Sequence, residues 1–172
     1  MLIDEFLPEY NFAKKHSVVI RASAEKIFNV LKNSDFNSVL IKTLLMLRGI
    51  KLENLSLTVA EKSYFTLLGE ESEKEILFGI IGKFWKWKGG LFKIQKEEFG
   101  DFSLTGFAKA VWGFSASPAG SEETTFITET RVQCIGEAAK RWFSIYWFLI
   151  EPFSGLLRKI ILYKIKYRAE RE

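Results

Sequence analysis

The sequence predicts an α+β fold in which a curved antiparallel sheet of about six strands wraps around one long C-terminal helix, with two short helices after the first strand. Three observations lead there. Between residues 64 and 135 the chain reads as short β-like runs separated by turn signals. At 135–137 the period switches to helical spacing, which continues past residue 160. Aromatic residues make up 15% of the chain, 16 of them Phe, and a core must exist to bury them.

With 172 residues the chain makes one ordinary domain, long enough to bury a single core without disulfides. No repeat, low-complexity segment or linker interrupts it. Lys14 to Arg21 (KKHSVVIR) reads as the entering strand. Ser23 is an N-cap for a helix whose first turn carries Glu25 and Lys26 and whose apolar face is Ile27, Phe28, Val30 and Leu31. A second helical stretch, Ser38 to Leu47, is closed by Gly49. Then come YFTLLGEE, KEILFGIIGKFWKW and GGLFKIQ, with turns at Ser72 to Lys74 and at Gly89-Gly90. Two more strands, FAKAVWGFSAS and TTFITETRVQCI, are joined by the turn PAGSEE. In KEILFGIIGKFWKW both alternating sets are apolar, so this strand is covered on both faces or leaves an exposed patch. Gly79 and Gly82 within it mark a bend or a bulge.

The final helix starts near Glu137, whose acid suits the positive end of the helix dipole. It contains RWFSIYWFLIEPFSGLLRKII at 141–161, a concentration of aromatic residues that a membrane anchor, a core helix or the lid of an apolar cavity would each explain. Spanning a bilayer needs about 20 predominantly apolar residues. Here Glu151 and Pro152 end the run that begins at Trp142. On a helical wheel Phe143, Tyr146, Trp147, Ile150, Phe153, Leu157 and Ile161 share one side, while Lys140, Glu151, Arg158 and Lys159 fall elsewhere. Pro152 removes a backbone hydrogen bond, so a bend is expected there. Beyond Tyr163 the charges Lys164, Lys166, Arg168 and Arg171 surround the axis.

This order of elements is the helix-grip architecture, and it resembles the START-like superfamily of polyketide cyclases, ligand carriers and lipid-transfer domains. The resemblance covers residues 14 to 165. Within it GKFW at 82–85, ETRV at 129–132 and RWFSIYWFLIEPFSGLLRK at 141–159 look like a little-characterised prokaryotic branch. The resemblance implies an apolar cavity between sheet and helix, with functions from lipid carriage to cyclisation. Stiff, large aromatic residues can line such a gap or fill it. The lining expected here is Phe78, Phe84, Trp112, Phe114, Phe143, Tyr146, Trp147 and Ile150.

Polar candidates are few. Alternation in TTFITETRVQC puts Phe126, Thr128, Thr130, Val132 and Cys134 on one face and Ile127, Glu129, Arg131 and Gln133 on the other. The more apolar first face should meet the cavity or the helix. Glu129 and Arg131 would then form a charge lattice with partners such as Lys109 or Lys83, whereas in the opposite register they would point inward and orient a polar head group. His16 reads as a surface or edge-strand histidine and Cys134 as a small buried hydrophobe. There is no phosphate-binding glycine loop, HExxH motif or legible Ser-His-Asp order, and no metal or cofactor is expected.

Net charge is +4, with 25 basic against 21 acidic residues. That excess is too mild to imply a nucleic-acid surface, and the alternation of Lys83, Trp85, Lys86, Trp87 and Lys88 reads as a strand whose lysines reach outward. The single cysteine excludes an intrachain disulfide, and the acidic N-terminus MLIDEFLPEYNF is no secretory signal, so a cytoplasmic protein is expected. The expected function is binding of a hydrophobic small molecule or lipid. Two alternatives stand beside it: a cyclase, dehydrase or hydrolase using a cavity carboxylate such as Glu129, and a peripheral membrane or protein-interaction module using the Trp-Lys stretch and the basic tail.

Overall fold

The computed structural model describes residues 1–34, 64–86 and 90–171. The predicted helix at Ser38 to Leu47, with Trp87, Lys88 and Gly89, lies outside them. The described elements are α1 (Leu2–Phe6), β1 (Phe12–Ile20), α2 (Ala24–Asn33), β2 (Thr66–Glu71), β3 (Glu75–Gly82), β4 (Leu91–Phe92), α3 (Lys96–Phe99), β5 (Ala108–Pro118), β6 (Thr124–Cys134) and α4 (Glu137–Ala169). The strands form one curved antiparallel sheet in the order β1-β6-β5-β3-β2, with β4 paired to β3. The predicted α+β helix-grip class, six strands and one long closing helix, is the observed one.

Local chemistry accounts for most boundaries. Ser23 caps α2 by accepting a hydrogen bond from the Lys26 backbone N–H at 3.3 Å, and Ile27, Phe28, Val30 and Leu31 are buried as expected. The β5–β6 hairpin closes with the Ala119 N–H donating to the Glu123 carbonyl at 2.8 Å. Gly136 turns the corner from β6 into α4 at φ +90°, a backbone region open to glycine and strained for other residues.

Three expectations change. The strand predicted to run to Trp87 stops at Gly82, because the Lys83 N–H turns back to the Gly90 carbonyl at 2.7 Å. Phe84 and Trp85 therefore leave the ladder and pack beneath the helix. Gly79 causes no bulge in β3: it stays in register with Val111, and the irregularity lies in the partner strand at Leu67/Gly69. GGLFKIQ contributes only two strand residues before α3 begins.

β3 is buried along its whole length because the sheet is covered on both faces. α2 and α4 pack on the inner face. On the outer face α1 and α3 bury Ile3, Leu7 and Phe99 against Leu68, Leu77, Ile81 and Val111. The N-terminal segment is tied down by polar contacts as well, with the Leu2 N–H donating to Glu75 at 2.7 Å. Among the described residues no helix is long and apolar enough to cross a membrane.

Candidate ligand-binding site

The inner face of the sheet carries the even-numbered residues of β1, β3, β5 and β6, which the antiparallel registers bring side by side. Two apolar clusters form against α4. Toward its N-terminal end Ile80, Ala110, Val132 and Phe143 are buried, with Phe12, Phe84, Tyr146 and Trp147 packed around them. Toward its C-terminal half Phe78, Phe114 and Phe126 of the sheet meet Phe28 and Leu31 of α2 and Leu157, Ile161 and Ile165 of α4.

On the β1–β6 side a polar belt lies between these clusters, while Phe65 packs against both. In the β1–β6 ladder Lys14 stands opposite Thr130 and His16 opposite Thr128. Trp112 donates its indole N–H to Thr128 Oγ1 at 2.9 Å, and that hydroxyl donates to the Gly113 carbonyl at 3.1 Å. From the helix, Arg158 reaches down with 6% of its surface exposed. Its Nη2 donates to Thr130 Oγ1 at 2.7 Å and its Nη1 to Ser154 Oγ at 2.6 Å. Nearer the start of α4, Glu151 pairs with Lys14 at 2.5 Å. Gly155 of the helix stands over the imidazole, where a Cβ would make ordinary contact with His16 Nε2 at 3.6 Å.

Electrostatics within the belt are asymmetric. Burial, followed by the positive charges of Arg158, Lys14 and Lys159, holds His16 below its ordinary pKa, with Glu151 opposing them. The imidazole is therefore neutral at pH 7. Its Nδ1 is buried and makes no hydrogen bond among the described residues. The hydrogen bond from Lys14 lowers the Glu151 pKa and keeps that carboxylate ionised. Guanidinium, hydroxyl and imidazole groups thus converge between two aromatic clusters. Such an arrangement can hold the polar end of a molecule whose remainder is apolar.

The predicted lining residues divide. Phe78, Trp112 and Phe114 belong to one cluster, whereas Phe84, Phe143, Tyr146 and Trp147 belong to the other, and Ile150 is half-buried between them on α4. Glu129 and Arg131 are not brought into this interior. They face the outer side, where Arg131 Nε bonds Glu129 at 2.7 Å and Nη1 pairs with Asp4 at 2.8 Å. The ring of Tyr10 stacks on the same guanidinium. Their expected partners bind elsewhere: Lys109 donates to the Gly100 carbonyl at 3.1 Å, and Lys83 lies over the Phe107 ring. Arg158, placed by the sequence off the apolar side of the helix, instead faces the interior, while His16 is the edge-strand histidine expected, since β1 ends the sheet, and is half-buried on its inner face. Ser154 and Arg158 at i and i+4, beside Gly155, and two threonines on the apolar face of β6 were the available signals.

An open groove of about 1070 Å³ lies apart from this interior, where the β5–β6 hairpin meets the start of α2. Arg21, Ser23, Lys74, Pro118 and Glu122 are among its walls, and none of the predicted lining residues is.

No family model matches the sequence, and no curated protein does. Solved structures resemble the chain along nearly all of its length. A conserved protein from Geobacillus kaustophilus is 12% identical with a TM-score of 0.47, covering 92% of this chain and 95% of that one. A protein from Thermus thermophilus is 9% identical with a TM-score of 0.38, over 92% and 97%. The Zhui aromatase/cyclase from Streptomyces is 12% identical with a TM-score of 0.33, over 93% and 94%.

Proposed function

We propose that this protein binds a hydrophobic small molecule or lipid between the sheet and α4, as a divergent member of the START-like superfamily. The ligand's apolar body would displace or part the aromatic clusters, and its polar end would meet the belt of His16, Thr130 and Arg158. The observation that carries this reading is the burial of Arg158 in the polar belt between the two aromatic clusters. Taking a guanidinium out of water costs several kcal/mol even when it is hydrogen-bonded, and an apolar side chain of similar volume often serves stability as well or better. Its position there makes sense if it recognises something.

The test is titration with a fluorescent fatty-acid analogue and with a neutral analogue of equal length. Micromolar binding, about 8 kcal/mol, is expected for the wild-type protein. Ala110→Phe, which fills the cluster beneath Phe143, should abolish binding of both while the protein stays folded. Arg158→Met should weaken the carboxylate probe roughly 10- to 100-fold, the worth of a hydrogen bond to a charged group, and leave the neutral probe unchanged. Equal binding by all three proteins, or binding by none, would refute the reading.

An enzymatic reading, of the cyclase, dehydrase or hydrolase kind, would draw on His16 in place of Glu129. The neutral imidazole opposite Thr128 across the β1–β6 ladder is the observation that favours it. Turnover of a bound carbonyl substrate that His16→Gln abolishes without loss of binding would establish it.

A further inference from the structure

The outer side of α4 presents a second apolar stripe, distinct from the one that grips the sheet. Trp142, Ile145, Leu149, Phe153, Leu156 and Tyr163 recur at spacings of three, four and seven, and each is about half exposed or more. Phe148 at their edge is 81% exposed. This stripe extends about 30 Å along the helix at 1.5 Å per residue. Leaving so much contiguous apolar surface in water marks an interaction face.

We infer that this face docks on an anionic lipid surface. Charge decides the occupant. At 100° per residue Arg141 and Lys159 run along one edge of the stripe and Lys164 along the other, all three exposed. Glu151 is turned away, toward Lys14 on β1. A second copy of the chain would bring like charges together across the apolar strip, whereas anionic headgroups would meet each of them. Tryptophan and tyrosine on the apolar side and lysine and arginine at its margins also suit the membrane interface. This surface is separate from Phe84 and Trp85, which pack on the inner side of the helix, and the inference does not depend on a ligand in the interior.

Co-sedimentation with phosphatidylcholine vesicles, alone and with about 30 mol% phosphatidylserine, tests it. Binding to the anionic vesicles should be at least tenfold tighter and should fall as salt rises from about 0.1 to about 0.5 M. Arg141→Gln with Lys159→Gln should weaken it about 25-fold. Phe148→Ser with Leu149→Ser should abolish it with the thermal unfolding curve unchanged, since both side chains are exposed. If that pair misfolds, the charge variants still decide. Equal binding to both vesicles, or none to either, would overturn the inference. So would a dimer in solution, measured by light scattering, that becomes a monomer on Phe148→Ser.

Discussion

Removing the Phe143 ring should undock α4 more than any other single truncation on its inner face. The side chain is 2% exposed, and its ring meets Phe12 at 5.0 Å, Tyr146 at 5.6 Å, Trp147 at 5.7 Å, Phe84 at 5.9 Å and Trp85 at 6.4 Å. Three of these five neighbours belong to β1 or to the turn after β3, so the ring is the bridge between helix and sheet. Phe→Ala in a closed core costs roughly 3 to 5 kcal/mol, and each aromatic pair adds about 0.5 to 1.5 kcal/mol beyond buried area. The expected loss for Phe143→Ala therefore lies near the top of that range, about 4 to 5 kcal/mol. Urea unfolding reads it as a midpoint shift of about 2 M, at a slope of about 2 kcal/mol per molar. Phe148→Ala, five residues along but facing out, should change stability by less than about 0.5 kcal/mol. A loss for Phe143→Ala below about 1.5 kcal/mol, or equal to that of Phe148→Ala, would mean that the ring borders open space, and the packing argument would fail.

His16 makes stability depend on pH. Its folded-state value lies below the ordinary 6.5, so the unfolded chain takes up the proton first as the pH falls. Stability is full above about pH 6.5 and declines from there toward the lowered folded value. Urea midpoints of wild type and His16→Gln should therefore diverge between about pH 7.5 and about pH 5.5, with the variant the less pH-dependent; parallel profiles would refute this. Burial pushes the Cys134 thiol up to about 11, so at about pH 8 it should react with a thiol reagent only after unfolding. Rapid labelling of the folded protein would contradict that placement.

The period-two strands, the Ser23 cap, the hairpin turn and the switch into α4 were all readable in sequence, because each depends on neighbours within a few residues. The two-sided apolar pattern of β3 was legible too, and it foretold that both faces of the sheet are covered. What covers the outer face was not legible, since α1 is five residues long and owes its position to Leu77, Val111 and Arg131 far along the chain. The helical wheel of α4 shows the deeper reason. Two apolar stripes run along this helix, one through Phe143 and Ile165 and one through Trp142 and Tyr163, and hydropathy alone assigns Phe153 to the gripping side and Arg158 to the other. Phe153 is 49% exposed and Arg158 6%. Only the assembled sheet distinguishes the stripes, because the hydroxyl of Thr130 on β6 accepts a hydrogen bond from an arginine that a bare apolar surface would expel. Local spacing determined which residues form helix and strand; the face each helix turns inward was decided by partners the chain brings together only on folding.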